Sequence, residues 1–168
     1  MNNQQTCSAC KKHMSNFKCG ICQDPICKKC TQFLEETFNF SRKIPEELTH
    51  NAYCENCYNE KVLSAIYDYN QIMDKAKEVQ IYSKSQSKET SLFKRKTLPY
   101  KVEDCDDETE ALMKMSFYAI EDKFNCLIDV ELTKKKIIHG SYKKFTWSAS
   151  AVPFHLEKPN REGFIGEF

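Results

Sequence analysis

The sequence predicts an α+β chain in three parts. These are a small cysteine-organised finger over 1–60, a linking helix over 61–77 and a small β-α-β-β domain over 78–156. A mobile tail is expected over 157–168. Three observations carry this. Eight of the ten cysteines lie between Cys7 and Cys57, all in Cys-x2-Cys pairs. Apolar residues then recur at helical spacing, and two later segments alternate apolar and polar residues.

The finger comes first because its first 57 residues hold few long apolar runs. A segment that short buries too little core to fold without a cross-link or a metal. The helix follows from about Glu55 to Ala76, with Val62, Ile66, Tyr69, Met73 and Ala76 spaced by four, three, four and three. Val79-Gln80-Ile81-Tyr82 reads as a short strand, and the Ser/Thr/Lys-rich stretch 83–97 as an irregular loop. Asp106 is expected to cap a helix running to about Phe124, with an apolar stripe of Leu112, Met115, Ala119 and Ile120. The acidic cluster from Asp104 to Glu110 reads as carboxylates favouring that helix N-terminus rather than as a cation site. Cys126, Ile128, Val130 and Leu132 alternate with Leu127, Asp129, Glu131 and Thr133, a half-buried strand. After turn residues His139-Gly140-Ser141, a second strand alternates Phe145, Trp147, Ala149 and Ala151 with Thr146, Ser148 and Ser150. Pro153 is expected to end it. Pro159, Gly163 and Gly166 mark the tail.

Composition narrows the function classes. The 168 residues carry 25 Lys+Arg against 24 Asp+Glu, a net charge of +1, which argues against a broadly basic nucleic-acid coat or an acidic tail protein. The polar start Met1-Asn2-Asn3-Gln4-Gln5-Thr6 shows no apolar h-region, and no run of 18 apolar residues suggests a membrane span. A cytoplasmic location is therefore expected, where ten cysteines point to metal rather than disulfides.

The pairs are Cys7/Cys10, Cys19/Cys22, Cys27/Cys30 and Cys54/Cys57. A Cys-x2-Cys turn offers two thiolates along one edge of a tetrahedral ion, and two such turns close a four-coordinate shell. Eight cysteines thus predict two structural Zn²⁺ ions per chain, with no coordination position left open for catalysis. Iron–sulfur and dithiol redox chemistry are the competing uses of the same soft ligands. Sequential pairing would join the first two turns and the last two. A cross-brace would join first with third and second with fourth. The short separators, eight residues between Cys10 and Cys19 and four between Cys22 and Cys27, suit two ions on one compact scaffold.

The spacing C-x2-C-x8-C-x2-C-x4-C-x2-C-x23-C-x2-C resembles the FYVE-type zinc finger, a double-zinc cross-brace. The resemblance implies one ion on Cys7, Cys10, Cys27 and Cys30 and the other on Cys19, Cys22, Cys54 and Cys57. A RING finger usually has a histidine ligand and a shorter gap before the third pair. FYVE domains hold a phosphoinositide through a basic stretch around the third cysteine. Here that stretch is Ser15-Asn16-Phe17-Lys18-Cys19-Gly20, with one lysine, no arginine and no histidine. Selective phosphoinositide binding is therefore not expected, since phosphate recognition favours an arginine cluster. Lys11, Lys12 and His13 with Met14 and Phe17 could at most touch a membrane weakly.

With eight cysteines in register, His13 and His50 are expected at the surface rather than as ligands. Cys126 is expected as a core thiol and Cys105 as an inert one among Asp104, Asp106 and Asp107. The loop Phe93-Lys94-Arg95-Lys96 is too small a basic footprint to suggest nucleic acid. The segment from Ala111 to Val152 is similar to the YbjQ-like, dodecin-like small α+β domains. Asn125-Cys126-Leu127-Ile128-Asp129-Val130 and Trp147-Ser148-Ala149-Ser150-Ala151-Val152 carry the likeness. It implies self-association through sheet edges or the helix, which exposed edges also favour physically.

The expected function is therefore a non-enzymatic zinc-binding adaptor with a protein partner or self-association. The alternatives are a FYVE-like membrane or phosphoinositide module and a RING-like ubiquitin-transfer partner. No Ser/His/Asp set, Gly-rich phosphate loop or HExxH suggests an enzyme. Two Zn²⁺ on eight thiolates would add −4 to the chain. Lys11, Lys12, Lys18, Lys28 and Lys29 sit where they would offset it.

Overall fold

The computed structural model describes residues 5–86, 97–139 and 142–157. The chain divides into two compact units, Met1–Asp74 and Lys75–Phe168.

The first unit is built from very short elements, because its sequence offers turn residues and cysteines rather than long apolar runs. Strands β1 (Phe17–Lys18) and β2 (Pro25–Ile26) pair antiparallel, as do β3 (Thr31–Phe33) and β4 (Ala52–Cys54). The helix starts at α1 (Glu55–Cys57), passes through a π turn (Tyr58–Val62) and continues as α2 (Leu63–Ala76). Its expected stripe is the inward one, with Val62, Tyr69 and Ala76 buried and Ile66 and Met73 half-buried. Tyr69 meets Phe38 edge-on, with ring centroids 4.9 Å apart, and its hydroxyl accepts the Phe40 N–H at 3.3 Å. The helix therefore packs into this unit over most of its length.

The second unit is a four-stranded sheet in the order β5-β7-β8-β6. The strands are β5 (Gln80–Ser83), β6 (Tyr100–Cys105), β7 (Cys126–His139) and β8 (Tyr142–Phe154), with α3 (Glu108–Glu121) between β6 and β7. β5 runs parallel to β7, and the other neighbours are antiparallel. The apolar core gathers Val102, Cys105, Ala111, Met115, Ala119, Leu127, Val130, Ala149 and Ala151 between helix and sheet.

Four expectations need correction. Two strands precede α3 rather than one, so the order is β-β-α-β-β; the six-residue β6 lies between the loop 83–97 and the acidic cluster, where no strand was expected. Asp107, not Asp106, caps α3: its Oδ1 accepts the Glu110 N–H at 2.7 Å, and the helix stops at Glu121. The alternation of β7 does not hold through the strand. Asp129 adopts φ 53° and the pairing slips between Ile128 and Glu131. Leu127 therefore joins Val130 in the helix-side core, although simple alternation puts them on opposite faces. Asp104 (φ 56°) produces the same slip in β6, which brings Val102 and Cys105 into one core. Lastly, β8 continues through Pro153 to Phe154. Pairing with β6 stops at Ala151, so the missing Pro153 N–H forfeits no bond to that neighbour, and its carbonyl accepts the Thr97 hydroxyl at 2.7 Å. The loop Phe93-Lys94-Arg95-Lys96, most of the stretch 83–97, and the tail from Lys158 lie outside the described residues, as do Gly140 and Ser141.

Candidate metal centres

The eight paired cysteines meet in two groups. The Sγ atoms of Cys7, Cys10, Cys27 and Cys30 lie within 4.8 Å of one another, and so do those of Cys19, Cys22, Cys54 and Cys57. The first pair thus meets the third, and the second meets the fourth. None of the ten cysteines is in a disulfide.

Each group is assembled from the same two pieces. The first is a tight turn. At Cys7–Cys10 the Lys11 N–H donates back to the Cys7 carbonyl at 2.9 Å, and Lys11 is left-handed with φ 55°. At Cys19–Cys22 the Gln23 N–H donates to the Cys19 carbonyl at 3.0 Å, and Gln23 has φ 63°. Each turn is fastened across its base, by Cys7 N–H to His13 O at 2.9 Å and by Cys19 N–H to Asp24 O at 2.9 Å. The second piece is an extended cysteine opening a helical turn that carries its mate. Cys27 (φ −86°, ψ 161°) precedes a 3₁₀ turn, Lys28–Cys30, and Cys54 (φ −73°, ψ 157°) precedes α1. Thr31 locks the former turn by donating its hydroxyl to Cys27 O at 2.9 Å.

Two short ribbons join the groups. β1 leads into Cys19 while its partner β2 leads into Cys27, with Phe17 opposite Ile26. β3 leaves Cys30 while β4 ends at Cys54, with Thr31 opposite Cys54. Every ribbon therefore carries one ligand from each group. Cys7, Cys19 and Cys27 are buried, whereas Cys22 is exposed.

The backbone of both groups is aimed at sulfur. N–H groups of Cys10, Cys27 and Ala9 point at the Cys7 thiol and lower it to about 6 against the opposition of burial. At Cys19 burial pushes upward, and the N–H groups of Cys54, Cys22 and Ile21 together outweigh it, again giving about 6. The donors sit at equivalent positions in the two groups. The Lys12 and His13 N–H groups lower Cys10. The remaining thiols are driven the other way. Cys30 rises to about 12, first through the neighbouring Cys27 sulfur and then through burial. Burial and then the sulfur of Cys54 raise Cys57 to about 11, and burial chiefly raises Cys22. Four thiols this close cannot all ionise alone, because like charges sharing a site oppose one another. A divalent cation at the centre removes that opposition.

Geometry fits the same ion. Cys10 and Cys27 Sγ are 3.8 Å apart, as are Cys22 and Cys54 Sγ. A tetrahedral centre with metal–sulfur bonds of about 2.3 Å has edges of about 3.8 Å, whereas a disulfide needs about 2.05 Å. The two groups could each hold one metal ion.

Neither His13 nor His50 joins a group, and both are exposed. Cys105 and Cys126 are fully buried in the other unit and belong to neither group. Burial raises the Cys105 thiol and raises that of Cys126 to about 11, so both are poor nucleophiles. The acidic residues near α3 form no metal-binding group among the described residues. Asp107 and Glu110 cap the helix, and Asp106 pairs with Lys144 at 2.8 Å. Sequence reading missed the left-handed Lys11 and Gln23. Their position, directly after the second cysteine of each turn, is the only signal that marks them. Among the described residues no helix is long and apolar enough to cross a membrane. No protein-family model, curated protein or solved structure matches the chain.

Proposed function

We propose that this chain is a non-enzymatic zinc-binding adaptor. Its N-terminal unit is a cross-brace finger with one structural Zn²⁺ on Cys7, Cys10, Cys27 and Cys30 and a second on Cys19, Cys22, Cys54 and Cys57. Its C-terminal unit self-associates or docks a protein partner. The observation that carries the reading is the 3.8 Å sulfur spacing inside two interleaved four-thiol groups. Zinc suits an all-sulfur tetrahedron and needs no redox partner. Four thiolates close its shell, so the role is to hold structure rather than to activate water. The FYVE-like ligand spacing supports the same assignment. The edge strands β5 and β6 offer pairing sites in the second unit.

Elemental analysis with native mass spectrometry of the purified chain tests this. Two zincs per chain are expected. The pair Cys10→Ser with Cys27→Ser should leave one. Iron in place of zinc, or fewer than two metals in the wild-type chain, overturns the metal assignment. Sizing over a range of concentrations tests self-association separately; a monomer throughout leaves the hetero-partner form of the adaptor.

A further inference from the structure

The overall charge of +1 hides a segregated cationic surface in the second unit. β5 pairs with β7 only as far as Val130, and β6 pairs with β8 only as far as Trp147. From Lys135 opposite Thr146 outward, β7 and β8 pair only with each other, as a two-stranded ribbon. Between Leu132 and Trp147 the sequence holds Lys134, Lys135, Lys136, Lys143 and Lys144 and no carboxylate. All five lysines are exposed.

Their arrangement follows from the register. Paired residues share a face, and successive pairs alternate faces. One face carries the rows Lys134–Trp147, Lys136–Phe145 and Ile138–Lys143, each a lysine beside an apolar side chain. The opposite face carries Lys135 with Thr146 and Lys144 with Ile137. Phe145 and Ile138 remain 48% and 57% exposed on a strongly charged ribbon. Lys134 Nζ stands 4.5 Å from the Phe145 ring centroid and 5.4 Å from that of Trp147. Among the described residues Lys144 pairs with Asp106, an exposed ion pair of the weak and readily exchanged kind.

We infer that this ribbon is a docking surface for duplex DNA, entering the major groove. Lysines on both faces decide the partner. A membrane surface meets a ribbon from one side, whereas a groove presents phosphates along two walls. The major groove of B-form DNA is about 12 Å wide and admits a two-stranded ribbon, while the major groove of A-form RNA is too narrow. Ile138 and Phe145 would meet thymine methyl groups, the apolar feature of that groove. The inference is independent of the metal assignment, since the ribbon lies in the unit without the cysteine groups. It would give the adaptor a nucleic-acid tether that the overall charge balance does not suggest.

Fluorescence anisotropy of the intact chain with a short mixed-sequence DNA duplex is the test. Saturable binding is expected at about 10⁻⁶ to 10⁻⁴ M near physiological salt, with a log K against log salt slope of about −4. Lys135→Glu, Lys136→Glu and Lys143→Glu together should weaken binding more than tenfold, whereas Lys43→Glu with Lys61→Glu in the first unit should not. The milder pair Lys136→Gln and Lys143→Gln, for use if the triple variant misfolds, should cut the slope by about two. No saturable binding, equal binding by the ribbon variants, equal affinity for an RNA duplex, or tighter binding to phosphatidylserine vesicles each overturns the inference.

Discussion

Gly20 lies flush against His50. A Cβ at Gly20 would strike the His50 side chain, with Cδ2 only 2.7 Å away. His50 cannot retreat easily, because its N–H donates to the Tyr53 hydroxyl at 3.1 Å and its carbonyl accepts from it at 2.7 Å. Tyr53 itself is fully buried. The turn between Cys19 and Cys22 is thus fitted to the loop that delivers Cys54. Gly20→Ala should destabilise the finger by about 1–3 kcal/mol, an ordinary overpacking cost. Thermal unfolding checks the stability loss. Zinc competition should show weakened binding, with the second group losing more than the first.

Lys11 holds a left-handed backbone that costs a residue with a Cβ about 1–2 kcal/mol relative to right-handed conformations. Lys11→Gly should therefore stabilise the metal-loaded finger by up to about 1 kcal/mol. Lys11→Val, β-branched, should destabilise it by more than that. Chemical denaturation of the three chains should rank them glycine, lysine, valine. A valine variant as stable as wild type would contradict the turn geometry.

The cap of α3 predicts a pH signature. Lys114 at 2.9 Å and the Asp106 N–H at 2.6 Å both hold Glu110 below the usual carboxylate range, the lysine being the larger cause. A carboxylate depressed in the fold stabilises above its unfolded value and loses that contribution as pH falls through the folded one. Glu110→Gln should thus cost stability at pH 7, and the difference from wild type should begin to shrink below about pH 4, near the unfolded carboxylate value, and vanish only below the depressed folded one. Asp107→Ala should cost about 1 kcal/mol at neutral pH and Asp106→Ala distinctly less. Thermal melts across pH check both statements.

Metal removal should separate the two units. The finger's few buried apolar residues leave most of its folding free energy to the ions, roughly 10 kcal/mol or more for each. A strong chelator should make eight thiols reactive to an aromatic disulfide reagent. Cys105 and Cys126 should stay protected until denaturant is added, because both are fully buried in the unit that has its own core. Limited proteolysis should then cut within residues 5–74 first. Ten reactive thiols after chelation alone would contradict independent folding of the second unit.

Much of this was legible in the sequence. Eight cysteines in Cys-x2-Cys pairs identify their own partners in chemistry, and the stripe Val62, Tyr69 and Ala76 finds its own face. Spacing alone left the pairing open, because separators of eight and four residues permit either closure. The ribbons decide it, and strands of two or three residues leave no periodicity to read. In the second unit, alternation failed where Asp104 and Asp129 turn left-handed. A bulge transfers every later side chain to the other face, and aspartate announces it only weakly, because aspartate is equally common in turns. β6 was missed for the same reason: its alternation breaks after Val102. The charged ribbon escaped notice because net charge sums over the chain, while a partner meets only one surface.

The interleaving of the two sulfur groups has a thermodynamic consequence. The segment from Cys10 to Cys27 contains Cys19 and Cys22, and the segment from Cys22 to Cys54 contains Cys27 and Cys30. Either ion, once bound, would close a loop and so shorten the one that the other must close. The second ion would therefore meet a partly ordered chain and is expected to bind more tightly than the first. Singly loaded molecules should then be scarce, the finger passing from empty to full over a narrow range of free metal.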